Sequence, residues 1–333
     1  MVSDRSLKIC QIGELSLLKR LQAFCPADLI GDDGAILSPQ PGYDLVVTTD
    51  MLVDRVHFSD QTTAPEDVGW RGAAANLSDL AAMGATPLGL TVALGLPGDL
   101  AVGWLERLYQ GLTACLHQFN TVLVGGDVCR SPVITLGITA IGQVRPEQAI
   151  RRSTAQPGDA IVVTGVHGAS RAGLELLQQP IWGKALSVGD RKALIKAHQR
   201  PSPRLDVIQT LRQQSPDLRV SGMDSSDGLA DAVLQICRAS QVGARLDWAT
   251  IPLPEGFQNS AVLSPQQALD WSLYGGEDFE LVLCLNPDAA KQLVPDLGSK
   301  AAIVGEIVAG SEVTLKVDHQ VICLNSDQTF QHF

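Results

Sequence analysis

Apolar residues recur along this chain at two spacings, and each spacing predicts an element. Ile12, Leu15, Leu18 and Leu21 fall on one helical face, which predicts a helix over 12–24. The run 44–50 reads as a strand that ends in polar residues. Pro65 suits a first helical turn, and a helix follows to about 83. A strand is predicted over 88–96. Asp99 is placed to cap a helix reaching 119, and 121–124 is a short strand ending at Gly125-Gly126-Asp127. A long β-rich run covers 133–144. The polar stretch 145–158 holds Pro146 and Pro157 and reads as a crossover, giving domains 1–145 and 146–333. Beyond it, strands are predicted at 159–166, 219–223, 244–248, 279–285, 301–308, 313–317 and 321–324. Helices are predicted at 170–177, 190–198, 203–213 and 229–240. Strand–helix alternation and consecutive strands both occur, so the fold class is α/β, with α+β equally open. No internal repeat stands out.

Composition narrows the partners. The 333 residues carry 25 Lys plus Arg against 36 Asp plus Glu, a formal charge of −11. Such a chain is repelled by phosphate backbones and anionic lipid, so neither nucleic acid nor a membrane is an expected partner. With 45% apolar and 18% charged residues, it has the profile of a soluble chain long enough for two cores. The start shows no apolar run of the signal-peptide kind. The most apolar stretch, 88–105, is broken by Pro97, Gly98 and Asp99, whereas a spanning helix needs about 20 apolar residues. Seven scattered cysteines with no C-x-x-C spacing read as buried reduced thiols, which points to the cytoplasm. The six histidines show no zinc spacing.

The candidate chemistry lies in the aspartates. Asp32 and Asp33 sit in Gly31-Asp-Asp-Gly34, Asp50 ends Val46-Val-Thr-Thr-Asp50, and Asp127 follows a glycine pair. Asp224 and Asp227 lie in Asp224-Ser-Ser-Asp-Gly228. Asp79 shares a helical face with Asn76, beside Ala73, Leu77 and Leu80. A carboxylate next to apolar surface is costly unless paired. Bases are few near these positions, with Arg55 and Arg71 the local candidates. If the acids converge, their repulsion is relieved by divalent cations. Mg2+ takes hard oxygen ligands, one or two carboxylates per ion, and Thr48 and Thr49 can join. The bland alternative is that each Asp is a turn or cap residue.

Common nucleotide signatures are missing: there is no P-loop, Rossmann glycine motif or protein-kinase motif. A phosphate site must then use metal ions, glycine turns such as Gly125-Gly126 and Gly275-Gly276, and single bases such as Arg152. His57 lies in a loop between apolar residues. Glu277 and Asp278 follow a glycine pair and precede an apolar strand, which suits either a ligand-approach loop or a plain turn.

In this order the segments resemble the thiamine-monophosphate kinase family of the aminoimidazole ribonucleotide synthetase-like (PurM-like) superfamily. The resemblance covers nearly the whole chain. Its carriers are Gly31-Asp-Asp-Gly34, Val47-Thr-Thr-Asp-Met-Leu-Val53 with His57-Phe58, and Asn76-Leu-Ser-Asp-Leu-Ala-Ala-Met-Gly-Ala85. Gly125-Gly-Asp127, Arg152-Ser153 before Pro157-Gly-Asp159, Arg200-Pro-Ser-Pro203, Asp224-Ser-Ser-Asp-Gly228 and Gly275-Gly-Glu-Asp278 continue it. The resemblance implies ATP-dependent phosphorylation of thiamine monophosphate to thiamine diphosphate by direct in-line transfer. It implies an N-terminal domain whose sheet pairs across a homodimer and a C-terminal α/β domain closing over the site. By position, Asp33, Thr48, Thr49, Asp50, Asp79, Asp127, Asp224 and Asp227 would hold several Mg2+ ions. Tyr109, Gly126, Asp127, Arg152 and Ser226 would contact ATP, and His57, Glu277 and Phe330 the thiamine substrate. Arg55, the pair Val128-Cys129, and Ser225 depart from the family pattern without removing a ligand. The other readings are a different ATP-dependent synthetase of the superfamily, a metal-dependent phosphohydrolase, and a non-enzymatic binder of metal or nucleotide.

Overall fold

The computed structural model describes residues 6–179, 181–258 and 263–328. The chain divides into two compact units, residues up to 80 with 86–144, and residues 81–85 with 145 onward.

In the first unit, β1 (Asp44–Val53), β2 (Thr86–Leu96), β3 (Leu123–Arg130) and β4 (Thr135–Val144) form a sheet in the order β1-β4-β2-β3. β4 runs antiparallel to both neighbours, and β3 lies parallel to β2. The helices are α1 (Ile9–Ile12), α2 (Glu14–Gln22), α3 (Pro65–Ala82) and α4 (Val102–Gln118). α3 starts on Pro65 with Glu66 and Asp67 in its first turn, acids that suit a helix N-terminus. Its Ala73, Ala74, Leu77 and Leu80 are fully buried, as are Leu105, Leu108 and Leu112 of α4. The two helices touch at reciprocal glycines. A Cβ on Gly69 would overlap the Leu108 carbonyl, and one on Gly111 would overlap the Glu66 carbonyl. Only glycine allows that approach.

The second unit holds a seven-stranded sheet built from β5 (Ala160–Val163), β6 (Val220–Asp224), β7 (Gly243–Asp247), β8 (Leu281–Leu285), β9 (Ala302–Val308), β10 (Val313–Val317) and β11 (Gln320–Cys323). Its order is β11-β10-β7-β9-β5-β8-β6, and only the β10–β7 pair is parallel. The helices are α5 (Ala169–Gln178), α6 (Val188–Gln199), α7 (Leu205–Gln214), α8 (Leu229–Ser240), α9 (Pro265–Tyr274) and α10 (Pro287–Asp296). The central strands are buried on both faces. Val282 and Cys284 of β8 pack with Val233 and Ile236 of α8, while Leu281, Leu283 and Leu285 pack with Val207, Leu211 and Leu293 of α7 and α10. This two-sided burial explains why β8 reads as a continuous apolar run.

Mostly antiparallel sheets with helices resolve the fold as mixed α/β of the α+β kind. Several local expectations need correction. The helix expected over 12–24 is α2, which starts only after Gly13 and ends at Gln22, and Ile12 closes the separate short helix α1. Asp99 does not cap α4, which begins after Ala101. Gly125-Gly126-Asp127 lies inside β3 rather than after a strand. β8 begins two residues later than expected, because Glu277 and Phe279 have φ of +68° and +52°. α9 and α10 were not expected at all. Of the seven cysteines, all free, three are buried and three are exposed, so mostly buried thiols is also corrected. No helix among the described residues is long and apolar enough to cross a membrane.

Candidate active site

The acids and hydroxyls on β1 and α3 come first. Successive residues of a strand point to opposite faces. Thr48 and Asp50 therefore share a face, and the Thr48 hydroxyl donates to Asp79 Oδ2 on α3. Thr49 points the other way, and its Oγ1 donates to the Ile138 carbonyl at 2.8 Å. Thr49 is thus not brought to the Thr48–Asp79 pair, contrary to expectation. The registers Thr49↔Thr139, Gly137↔Ala93 and Ala93↔Asp127 put exposed Asp127 on the Thr49 face of the sheet. Asp33 lies exposed in the loop before β1. His57 sits just after β1, where its Nδ1 accepts from the Val53 N–H at 3.1 Å, leaving Nε2 to carry the proton of the neutral ring. Its carbonyl accepts from buried Arg71 at 3.4 Å. Tyr109 is only 4% exposed and packs on Phe24, with its hydroxyl pKa raised by burial. Its ring is a core group, so the expected nucleotide contact is withdrawn. Phe330 lies outside the described residues.

In the second unit three loops meet at one end of adjacent strands, after β5, after β6 and before β8. β6 ends at buried Asp224, whose Oδ1 accepts from Ser226 Oγ at 3.2 Å, with Asp227 next in the turn. The β6 and β8 loops are stitched together. Glu277 N donates to Ser226 O at 2.7 Å and Ser225 N to Glu280 O at 2.8 Å. A Cβ on Gly276 would press on the Ser226 carbonyl, which accounts for glycine there. Arg152 Nη1 donates to Gln235 at 2.6 Å, and its carbonyl accepts from Ser240 at 2.7 Å, which seats its turn on α8.

Behind these loops lies a buried titratable layer that sequence reasoning largely missed. Asp278 accepts from the backbone N–H groups of Gly168 at 2.6 Å and Ser170 at 2.8 Å, at the start of α5. Burial pushes its pKa up to about 7, against the two N–H groups, which favour the ionised form. His167 is fully buried, bonds Ser225 Oγ at 3.1 Å, and is held neutral by burial, with its pKa lowered to about 4. Buried His198 lies 3.2 Å from Ser170 Oγ and 3.8 Å from the Glu277 carboxylate. Glu280 accepts from Arg204 and from Thr164 at 2.6 Å; burial raises its pKa, opposed by Arg204. The one signal for Asp278 was its place between a second acid and an apolar strand. His167 and His198 gave none. Glu277 and Phe279 both hold left-handed backbone, each costing about 1–3 kcal/mol for a non-glycine residue.

Among the described residues, no three His, Cys, Asp or Glu side chains stand close enough to hold one metal ion. The pairs Thr48–Asp79 and Ser226–Asp224 are hard oxygen donors with few carboxylates. That suits Mg2+, which keeps water and phosphate in its shell.

The chain matches two family models. Residues 31–144 match the AIR synthase related protein, N-terminal domain, and residues 156–318 match its C-terminal domain. It is 52% identical over 336 residues to the thiamine-monophosphate kinase of Synechococcus elongatus, covering 100% of this chain and 99% of that protein. Among solved structures it resembles the thiamine-monophosphate kinase of Stenotrophomonas maltophilia K279a. That match has 35% identity and a TM-score of 0.79, covering 90% of this chain and 95% of the other. It also resembles AaThiL complexed with AMPPCP and TMP, at 28% identity and a TM-score of 0.74, covering 95% and 98%.

Proposed function

Because the chain belongs to the thiamine-monophosphate kinases, within the AIR synthase related family, we propose that it phosphorylates thiamine monophosphate with ATP, giving thiamine diphosphate and ADP. The observation that carries this reading is the 52% identity along the entire chain to a protein of that name.

The acceptor is a phosphate oxygen that is already ionised near neutral pH. It attacks the γ-phosphorus as the bond to the β,γ-bridging oxygen breaks, and ADP leaves. No strong general base and no phosphoenzyme are needed, because positioning and charge neutralisation carry phosphoryl transfer. Two unit charges 4 Å apart repel by about 4 kcal/mol at an effective dielectric of about 20, so an acidic protein must offset that cost. Mg2+, when bound, supplies the positive charge that offsets it. Thr48, Asp50 and Asp79 on one face of the first sheet, Asp127 on its other face, Asp33 in the loop before β1, and Asp224 and Asp227 in the second unit would hold separate Mg2+ ions. Gly126, Asp127, Arg152 and Ser226 face the nucleotide, while His57 and Glu277 orient the thiamine end. His57 presents its Nε2–H as a donor, and Glu277 a carboxylate suited to the cationic thiazolium or the aminopyrimidine.

The protein is also proposed to act as a homodimer. Leu45, Val47 and Met51 stand 54%, 63% and 61% exposed on one face of β1, the kind of patch a second copy would cover.

The deciding assay incubates the protein with ATP and Mg2+, with and without thiamine monophosphate, and separates products by ion exchange. Thiamine diphosphate equal to ADP is the expected result. ADP without thiamine diphosphate would make the protein a phosphohydrolase or a kinase for another acceptor.

A further inference from the structure

The Gly275–Glu280 loop holds an awkward conformation. Glu277 and Phe279 both lie in the left-handed region, at φ +68° and +52°, and both are non-glycine. Such a backbone persists only where its surroundings fix it. Asp278 stands between them. It is more than one hundred residues from α5 in sequence, yet its two carboxylate oxygens accept the Gly168 and Ser170 N–H groups at 2.6 and 2.8 Å. These belong to the unsatisfied donors that open every helix. Ser187 caps α6 and Ser264 caps α9 from their own N-cap positions, whereas α5 has Gly168 there, without a side chain. The Asp278 carboxyl supplies the missing cap from another loop.

We propose that Asp278 is a positioning residue that clips the strained loop to the start of α5 and so aims the Glu277 carboxylate at the acceptor. This rests on the assignment of Glu277 to the thiamine end. The other restraints on Glu277 are consistent with a single aimed geometry: its N–H is tied to Ser226 O at 2.7 Å, and its carboxylate lies 3.8 Å from His198. Both Asp278 carboxylate oxygens are taken up by the Gly168 and Ser170 N–H groups, so it acts through the placement of Glu277.

The experiment measures steady-state KM for thiamine monophosphate and for ATP, with Mg2+, in Asp278→Ala, Asp278→Asn, Glu277→Ala and the double variant Asp278→Ala/Glu277→Ala. Asp278→Ala is expected to raise the acceptor KM at least tenfold and leave the ATP KM within twofold. Asp278→Asn keeps the volume and one acceptor atom. It should fall between Asp278→Ala and the parent, and gives the reading if the alanine variant fails to fold by circular dichroism. The double variant should be no worse in acceptor KM than Glu277→Ala within twofold, since two residues acting through one contact do not add. An unchanged acceptor KM in folded Asp278→Asn and Asp278→Ala, with Glu277→Ala impaired, overturns the clip alone. Fully multiplicative losses in the double variant also overturn it. An unchanged acceptor KM in Glu277→Ala overturns the Glu277 assignment and the clip with it.

Discussion

Asp278 and His167 titrate in opposite senses, and the signs can be worked through. Between about 4 and 7 the unfolded chain has released the Asp278 proton while the folded chain still holds it, so this group lowers stability as pH rises. His167 does the reverse. The unfolded imidazole takes a proton below about 6.5 and the buried one only near 4, so stability rises with pH across that window. Each slope amounts to about 1.4 kcal/mol per pH unit at most, and between about 4.5 and 6 the two cancel. Asp278→Asn removes one side of the balance. Its stability relative to the parent should climb with pH across that window in urea titrations, and parallel curves would remove the assignment. At the same scale, Asp79→Ala should abolish turnover while leaving the circular dichroism spectrum unchanged. Retained activity at saturating Mg2+ would take Asp79 out of the site. Much of the candidate site was legible because acids beside glycine, serine and threonine are unusual in apolar helices and strand ends. The strand faces were not legible: the spacing of Thr48 and Thr49 offered both hydroxyls, and only the register sent one to Asp79 and the other to Ile138. Tyr109 misled because an aromatic side chain on an amphipathic helix looks the same whether it faces a ligand or the core.

Helices α3 and α4 touch backbone to backbone at Gly69 and Gly111, so the position of the Asp79 helix depends on two missing side chains. Alanine normally gains about 1 kcal/mol over glycine inside a helix. Here overpacking should outweigh that gain, and Gly69→Ala or Gly111→Ala should cost about 2 kcal/mol or more. Gly189→Ala in α6, with only Ser187 Oγ at 3.5 Å, should instead gain a few tenths to about 1 kcal/mol. Thermal melts of the three variants would test both signs. Among elements, those with strong periodicity were well read: α8 and β10 fall where the pattern put them. α9 and α10 were not, although Ser264-Pro265 and Asn286-Pro287 both carry cap-and-proline starts. Their apolar faces are narrow, and α10 carries a proline near its end, which dilutes the periodic signal.

At the scale of the whole molecule, the open face of β1 is the feature that a single copy leaves unsatisfied. Light scattering is expected to give a mass near twice 35.4 kDa, and Val47→Glu should shift it toward one chain. A parent mass of one chain would end the dimer proposal. The same strand has a further bearing on how the protein is lost. β1 is ten residues long, lies at a sheet edge and shows three large apolar side chains. Once uncovered, such an edge templates pairing with any other uncovered edge, a reaction second order in protein and hard to reverse. Inactivation on heating should therefore be set by a rate, with an apparent melting temperature that moves with scan speed and a yield that falls as unfolded chains become more concentrated. The strand that carries Thr48 and Asp50 would then also decide how long a preparation lasts.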